Sequence, residues 1–164
     1  MDKSIVSTQE IFPLIHEVLD QGKKVKFMVS GTSMLPWIGD NKDQVLVTGI
    51  QSQVPKVGDI VLFRDKSGEY ILHRIIKKTK GSYLTMGDAC YRTDGFVNQS
   101  MLIGVVEAIY KKNHVINCSS TLWKIIFYLW RKAFRIRKVL MKFYYSMVWA
   151  TGLPTVLWKR WGKL

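Results

Sequence analysis

Between Lys24 and Tyr110 the chain runs in short β-branched stretches, each cut off by Gly, Pro, Asp or Asn. Apolar residues in such runs, bounded by turn formers, are a strand signal. Six runs carry it: 25–29, 44–48, 60–63, 70–76, 82–86 and 103–110. Asp65-Lys66-Ser67-Gly68 and Thr79-Lys80-Gly81 have the composition of hairpin turns between neighbouring runs. The spacing predicts a mainly β fold, a coiled antiparallel sheet or partly open barrel. There is no internal repeat and no low-complexity segment.

Helical periodicity flanks this region on both sides. Over 8–21, Ile11, Leu14, Ile15, Val18 and Leu19 follow an i, i+3, i+4, i+7, i+8 pattern, and Gly22 closes it. Ser7 and Glu10 have capping-box spacing. Pro13 conflicts with a helix interior, so a start near Ile11, with the proline in the first turn, is the alternative. From 122 to 149 the period returns, with Leu122, Ile126, Leu129, Ala133, Ile136, Leu140, Phe143 and Met147 on one stripe and Lys124, Arg131, Arg135, Lys138 and Lys142 on another. Gly152 and Pro154 interrupt it before a short segment at 155–161.

Charge divides the chain at about the same place. The formal net charge is +13, yet no acidic residue follows Glu107. Five of the six tryptophans, Trp123, Trp130, Trp149, Trp158 and Trp161, share that basic end. The expected organisation is a nearly balanced domain at 1–118, including the first helix, and a basic aromatic helical tail at 119–164. With 164 residues the chain is long enough for one domain with a real core. Cys90 and Cys118 lack close partners in sequence and suggest neither a disulfide framework nor a metal cage. The polar, mixed-charge N-terminus lacks the pattern of a secretory signal, and no stretch has the ~20 apolar residues of a spanning helix. The expected location is the cytoplasm, with peripheral attachment to the cytoplasmic face of the membrane as an option.

Several residue types suited to chemistry lie at element ends. Gly31-Thr32-Ser33-Met34-Leu35-Pro36 places a hydroxyl in a tight turn just after a strand run. Glycine there allows a sharp bend and brings backbone N–H groups close to a reacting carbonyl. Gly-x-Ser alone would read as an ordinary strand-ending turn; the longer run is more specific. His73 lies inside the 70–76 run, and the carboxylates Asp88 and Asp94 follow 82–86. A serine, a histidine and carboxylates on separate elements are the components of nucleophilic acyl transfer. Lys77 and Lys78 read as solvated strand-end charges. His16 and His114 have no metal-ligand spacing, so neither a metal nor another cofactor is expected. Cys90 reads as a small apolar filler.

Four segments in order carry a family resemblance. Gly31-Thr32-Ser33-Met34-Leu35-Pro36 resembles the nucleophile box of the signal peptidase I superfamily, which includes the self-cleaving repressors of the LexA type. Lys56-Val57-Gly58-Asp59-Ile60-Val61-Leu62-Phe63 is similar to its Gly-Asp-Ile-Val segment. Ile71-Leu72-His73-Arg74-Ile75-Ile76 resembles the next box, and Leu84-Thr85-Met86-Gly87-Asp88 the Gly-Asp box after it. The likeness runs from about Val25 to Glu107 and leaves the tail uncovered.

The resemblance implies Ser33 as nucleophile and His73 as general base. Bacterial-type members have a lysine where His73 stands; the endoplasmic reticulum and archaeal type have histidine, and this chain is similar to them. An imidazole works at neutral pH without the desolvation a lysine needs to lose its proton. Asp94 matches the second aspartate, the triad acid of the histidine-type relatives, and ranks ahead of Asp88 as the acid that orients His73; with Asp94 in that role, Asp88 would support the site through loop hydrogen bonds. The plainer reading of either aspartate is a turn residue satisfying local backbone. Some relatives carry a serine two places before the nucleophile to help hold the oxyanion. Gly31 stands there, so the Ser33 N–H is the implied main donor, with Thr32 or a nearby amide as the second. Met34 and Pro36 complete the expected oxyanion and substrate-binding turn.

For the tail, an amphipathic helix in an anionic membrane interface ranks first, ahead of a helix packed on the β domain or docked on a partner protein. Nucleic acid ranks last, because the apolar stripe is too continuous for a helix that only tracks phosphates. The expectation is a serine endopeptidase acting on an extended peptide or a precursor's leader segment. The rival is a self-cleaving or non-catalytic regulatory protein that keeps the same fold. The residues before Val25 have room for one helix only, which counts against a repressor-like DNA-binding domain.

Overall fold

A computed structural model describes residues 8–133 and the helical positions 136, 139, 140, 143 and 146. The order of elements is α1 (Thr8–Asp20), β1 (Lys24–Met28), β2 (Gln44–Gly49), β3 (Ile60–Arg64), β4 (Tyr70–Thr79), β5 (Ser82–Met86), β6 (Gly95–Asn98), β7 (Leu102–Tyr110), β8 (Val115–Asn117) and α2 (Thr121–Lys132). The strands form one antiparallel sheet, β1-β2-β7-β3-β4-β5-β6, with β8 added beside β7. The sheet is not closed, and the mainly β expectation holds. Ser7, Thr155–161 and most of the tail beyond Ala133 lie outside the described residues.

The sheet coils enough to bury both faces. Ile60 and Leu62 point into one core with Ile15, Leu19, Val45 and Val47, and Val61 and Phe63 into a second with Ile75, Tyr83 and Val97. Both faces of β3 are therefore apolar, and its burial is continuous rather than alternating. At about 25 cal/mol per Å² of apolar surface, such doubly covered strands anchor the fold. Gly104, opposite Gly49 in the β2–β7 ladder, has no room for a side chain: a Cβ there would lie 2.5 Å from Val47 and 2.6 Å from the Thr48 carbonyl.

The α1 helix covers the first core with Ile15 and Leu19. Phe12 stacks on Tyr70 at 4.5 Å and meets Phe27 edge-on at 5.7 Å. Pro13 lies inside the helix, not at its first position. It is exposed, so its ring faces solvent while Phe12, Ile15 and Leu19 hold the helix on the core.

Both expected hairpin turns form. In the β3–β4 turn, the Asp65 carboxylate accepts the Ser67 hydroxyl and the backbone N–H groups of Ser67 and Glu69, and Gly68 takes a φ of 89°. The Ser67 hydroxyl above all, then those amides, holds the Asp65 carboxyl below its ordinary range. This turn sets the register that places His73 opposite Val61 and Arg74 opposite Ile60. Because side chains alternate, a slip of one residue would exchange the faces of His73 and Arg74.

The α2 helix turns a different face to the domain from the stripe through Leu122, Ile126 and Leu129. Phe127 is buried, and Trp123, Phe127 and Trp130 all meet Trp37 edge-on at 5.5 to 5.9 Å. Leu122 and Leu129 remain exposed. Aromatic packing against Trp37 outweighs the aliphatic periodicity, since rings bury more area per side chain and gain from edge-to-face geometry.

Candidate active site

The nucleophile candidate lies in the loop from β1 to β2. The Val29 amide donates to the Asp43 carbonyl at 3.1 Å, and the Asn41 amide to the Val29 carbonyl at 2.9 Å, which pinches the base of the loop. Met34, Leu35 and Ile38 are buried and anchor it from within. Gly31 has a φ of 105°, and its N–H donates to Asp40 Oδ1 at 2.7 Å. That left-handed conformation is the physical reason for a glycine there. Ser33 is half-buried. Among the described residues its N–H donates to no backbone carbonyl, so the amide expected to hold an oxyanion is available.

His73 comes from β4, with its side chain about one-tenth exposed. Its Nδ1 lies 2.7 Å from Asp94 Oδ2. Asp94 Oδ2 also accepts the Thr85 hydroxyl at 2.8 Å, and the Asp94 amide donates to the Thr85 carbonyl at 3.0 Å. Thr85 is fully buried. It therefore fixes the carboxylate that fixes the imidazole. With Nδ1–H donating to Asp94, the neutral ring leaves Nε2 as the acceptor.

Gly87 joins the two loops. The Ala89 amide donates to the Ser33 carbonyl at 2.8 Å. A Cβ placed on Gly87 would lie 2.6 Å from the Ser33 carbonyl oxygen, 2.7 Å from Cys90 Sγ and 2.9 Å from His73 Nε2. The free end of the imidazole and the Ser33 backbone thus converge on one point, which only glycine leaves open. Among the described residues Ser33 Oγ makes no direct hydrogen bond to His73. Catalytic hydrogen bonds are often long or absent until substrate is bound. Cys90 lies at this junction.

Asp88 takes a different partner. It forms a forked ion pair with Arg74, 2.8 Å and 3.1 Å from Nε and 2.5 Å from one terminal nitrogen. Arg74 and Asp88 are 1% and 2% exposed. The other terminal nitrogen of Arg74 donates to the Gly58 carbonyl at 2.7 Å, and the guanidinium lies 4.1 Å from the Phe127 ring centroid. Trp130 Nε1 donates to the Asp88 carbonyl at 3.1 Å. Asp88 is thereby a hub linking the Gly-Asp loop to β4, to the Lys56–Asp59 turn and to α2.

Sequence pattern assigns no role to Arg74, Thr85, Gly87 or the aromatic contacts of α2. A cation inside the apolar run 70–76 was the available signal for Arg74, because buried charges need partners. Thr32, Met34 and Pro36 lie in the same turn as Ser33, with Met34 pointing inward rather than toward the site opening. Among the described residues no cluster of three or more His, Cys, Asp or Glu could hold a metal ion. No described helix is long and apolar enough to cross a membrane. No protein-family model matches the chain, and no curated protein matches it.

Proposed function

We propose that this protein is a serine endopeptidase, similar to histidine-type members of the signal peptidase I superfamily. The observation that carries the reading is the 2.7 Å contact between His73 Nδ1 and Asp94, which leaves Nε2 beside the Ser33 turn. An imidazole oriented by a carboxylate, adjacent to a serine in a glycine-led turn, is the arrangement that acyl transfer needs.

In the proposed reaction the peptide carbonyl carbon is attacked by Ser33 Oγ, whose proton passes to His73 Nε2. Asp94 accepts Nδ1–H throughout and stabilises the imidazolium. The Ser33 amide faces the developing oxyanion. Collapse breaks the peptide C–N bond, and Nε2 returns its proton to the leaving amine. Water, deprotonated by the same imidazole, then hydrolyses the acyl-enzyme. No cofactor takes part.

The substrate is an extended segment of a peptide or precursor. Among the described residues β1 pairs only with β2, so its outer edge is open, and β1 leads directly into the Ser33 loop. A peptide added to that edge would deliver its carbonyl to the turn. Action on the cytosolic side of a membrane belongs to the same proposal.

A non-catalytic relative of the same fold is the second reading, favoured by the absent hydrogen bond between the hydroxyl and the imidazole. Reaction with a serine-directed phosphonate, followed by peptide mapping, separates the two. An adduct on Ser33 that disappears in His73→Ala supports the peptidase. A folded wild-type chain that stays unlabelled, under conditions that label a related peptidase, overturns it.

A further inference from the structure

The α2 helix is apolar on two opposite faces. Its inner face, Trp123, Phe127 and Trp130, is used up on Trp37 and Asp88. On the other side Leu122, Ile125 and Leu129, at i, i+3 and i+7, are 62%, 53% and 59% exposed. Further along, the helical residues Ile136, Val139, Leu140 and Phe143, at i, i+3, i+4 and i+7, are exposed as well. A solvated helix normally presents polar residues on the face away from its core. Repeated apolar exposure at helical spacing marks an interaction surface.

The composition of this end of the chain says what kind. Twelve Lys or Arg and no Asp or Glu follow Glu107. Lys124 and Lys132 are exposed on α2, and the cations of Arg131 and Lys132 lie 5.5 Å and 5.7 Å from the Tyr128 ring. A second copy of the chain would bring the same unbalanced positive charge to the contact, which opposes self-association. An anionic bilayer surface offers acyl chains to the stripe and phosphate groups to the cations, whose aliphatic stems can reach upward from a partly immersed helix.

We propose that the outward face of α2 docks on an anionic lipid surface. Docking there holds the Ser33 loop at the bilayer, because the inner face of the same helix is packed on Trp37 and hydrogen-bonded to Asp88. The lipid contact stands independently of catalysis; its consequence for substrate choice, a preference for peptides presented at the membrane, rests on the peptidase reading.

Flotation of the full chain with phosphatidylcholine vesicles, with and without phosphatidylglycerol, tests it. The expected result is recovery with anionic vesicles, weaker by roughly tenfold or more on neutral ones and in high salt. The variant Leu122→Glu/Ile125→Glu/Leu129→Glu changes exposed positions only, and its melting curve checks that it folds. It should lose flotation by roughly tenfold or more. Lys124→Gln/Lys132→Gln should weaken binding in the same direction. Failure to float on anionic vesicles, or full flotation of the folded triple variant, overturns the proposal. So does a dimer in light scattering that the triple variant dissolves, since the stripe would then be covered by protein. Phosphonate labelling in the same samples keeps the two claims apart. A chain that is labelled but does not float loses the docking surface alone, and one that floats unlabelled loses the peptidase alone.

Discussion

Arg74 holds Asp88 in a buried, forked ion pair on the face of β4 opposite to His73. Consecutive residues of one strand thus claim the two carboxylates of one loop: Asp88 for structure, Asp94 for the imidazole. The roles follow from strand alternation, and they predict separable phenotypes.

Asp94→Asn should keep the fold but cripple the centre. An amide in place of the carboxylate no longer favours Nδ1–H, and the wrong tautomer leaves Nε2 without a lone pair for the serine proton. The second-order rate of phosphonate labelling at Ser33 is expected to fall by about 10³- to 10⁴-fold. Thr85→Val, which removes the hydroxyl bonded to Asp94, should produce a smaller loss in the same assay.

Asp88→Ala should be a stability variant instead. It leaves Arg74 buried without its counter-charge, a change that costs about 3–5 kcal/mol. Urea denaturation followed by tryptophan fluorescence would read this as a lowered midpoint with little change in slope. Asp94→Ala, at a carboxylate about one-fifth exposed, should cost clearly less.

Gly87→Ala tests the junction itself. The added methyl would lie 2.6 Å from the Ser33 carbonyl oxygen and 2.9 Å from His73 Nε2, so one loop must move. A displacement of this kind in the proposed Ser33–His73 pair is expected to reduce Ser33 labelling by about 10²-fold. Gly81→Ala is the control: its φ of 80° makes alanine strained, but no atom stands within 4 Å of the new methyl. It should cost about 1 kcal/mol and leave labelling unchanged.

Burial pushes the Cys118 thiol up from 9.0 to about 11, with nearby Arg74 acting in the opposite sense. Its alkylation should therefore stay slow until the pH approaches that value. Linkage gives a second observable. The unfolded chain releases this proton near 9.0 and the folded chain near 11, so the stabilising contribution is intact below the first value and erodes between the two. The erosion amounts to roughly 2–3 kcal/mol. Comparing the pH dependence of urea midpoints in wild type and Cys118→Ala isolates it from other groups that titrate there.

The amino-acid order by itself determined the six longer strands, both hairpin turns, the first helix and the uneven charge, because each is a local pattern of period, turn chemistry or composition. Strand β6, with Phe96 exposed and only Val97 buried, carries no alternation to read. The three residues of β8 are too few to show any. Both exist because β5 and β7 offer them an edge. Only the tertiary structure decided which aspartate meets His73, which face of α2 packs, and that Gly87 stands between the imidazole and the serine loop. Those outcomes depend on strand register and on contacts between residues distant in the chain, where side-chain volume and the cost of burying an unpaired charge choose among arrangements that local preference leaves equal.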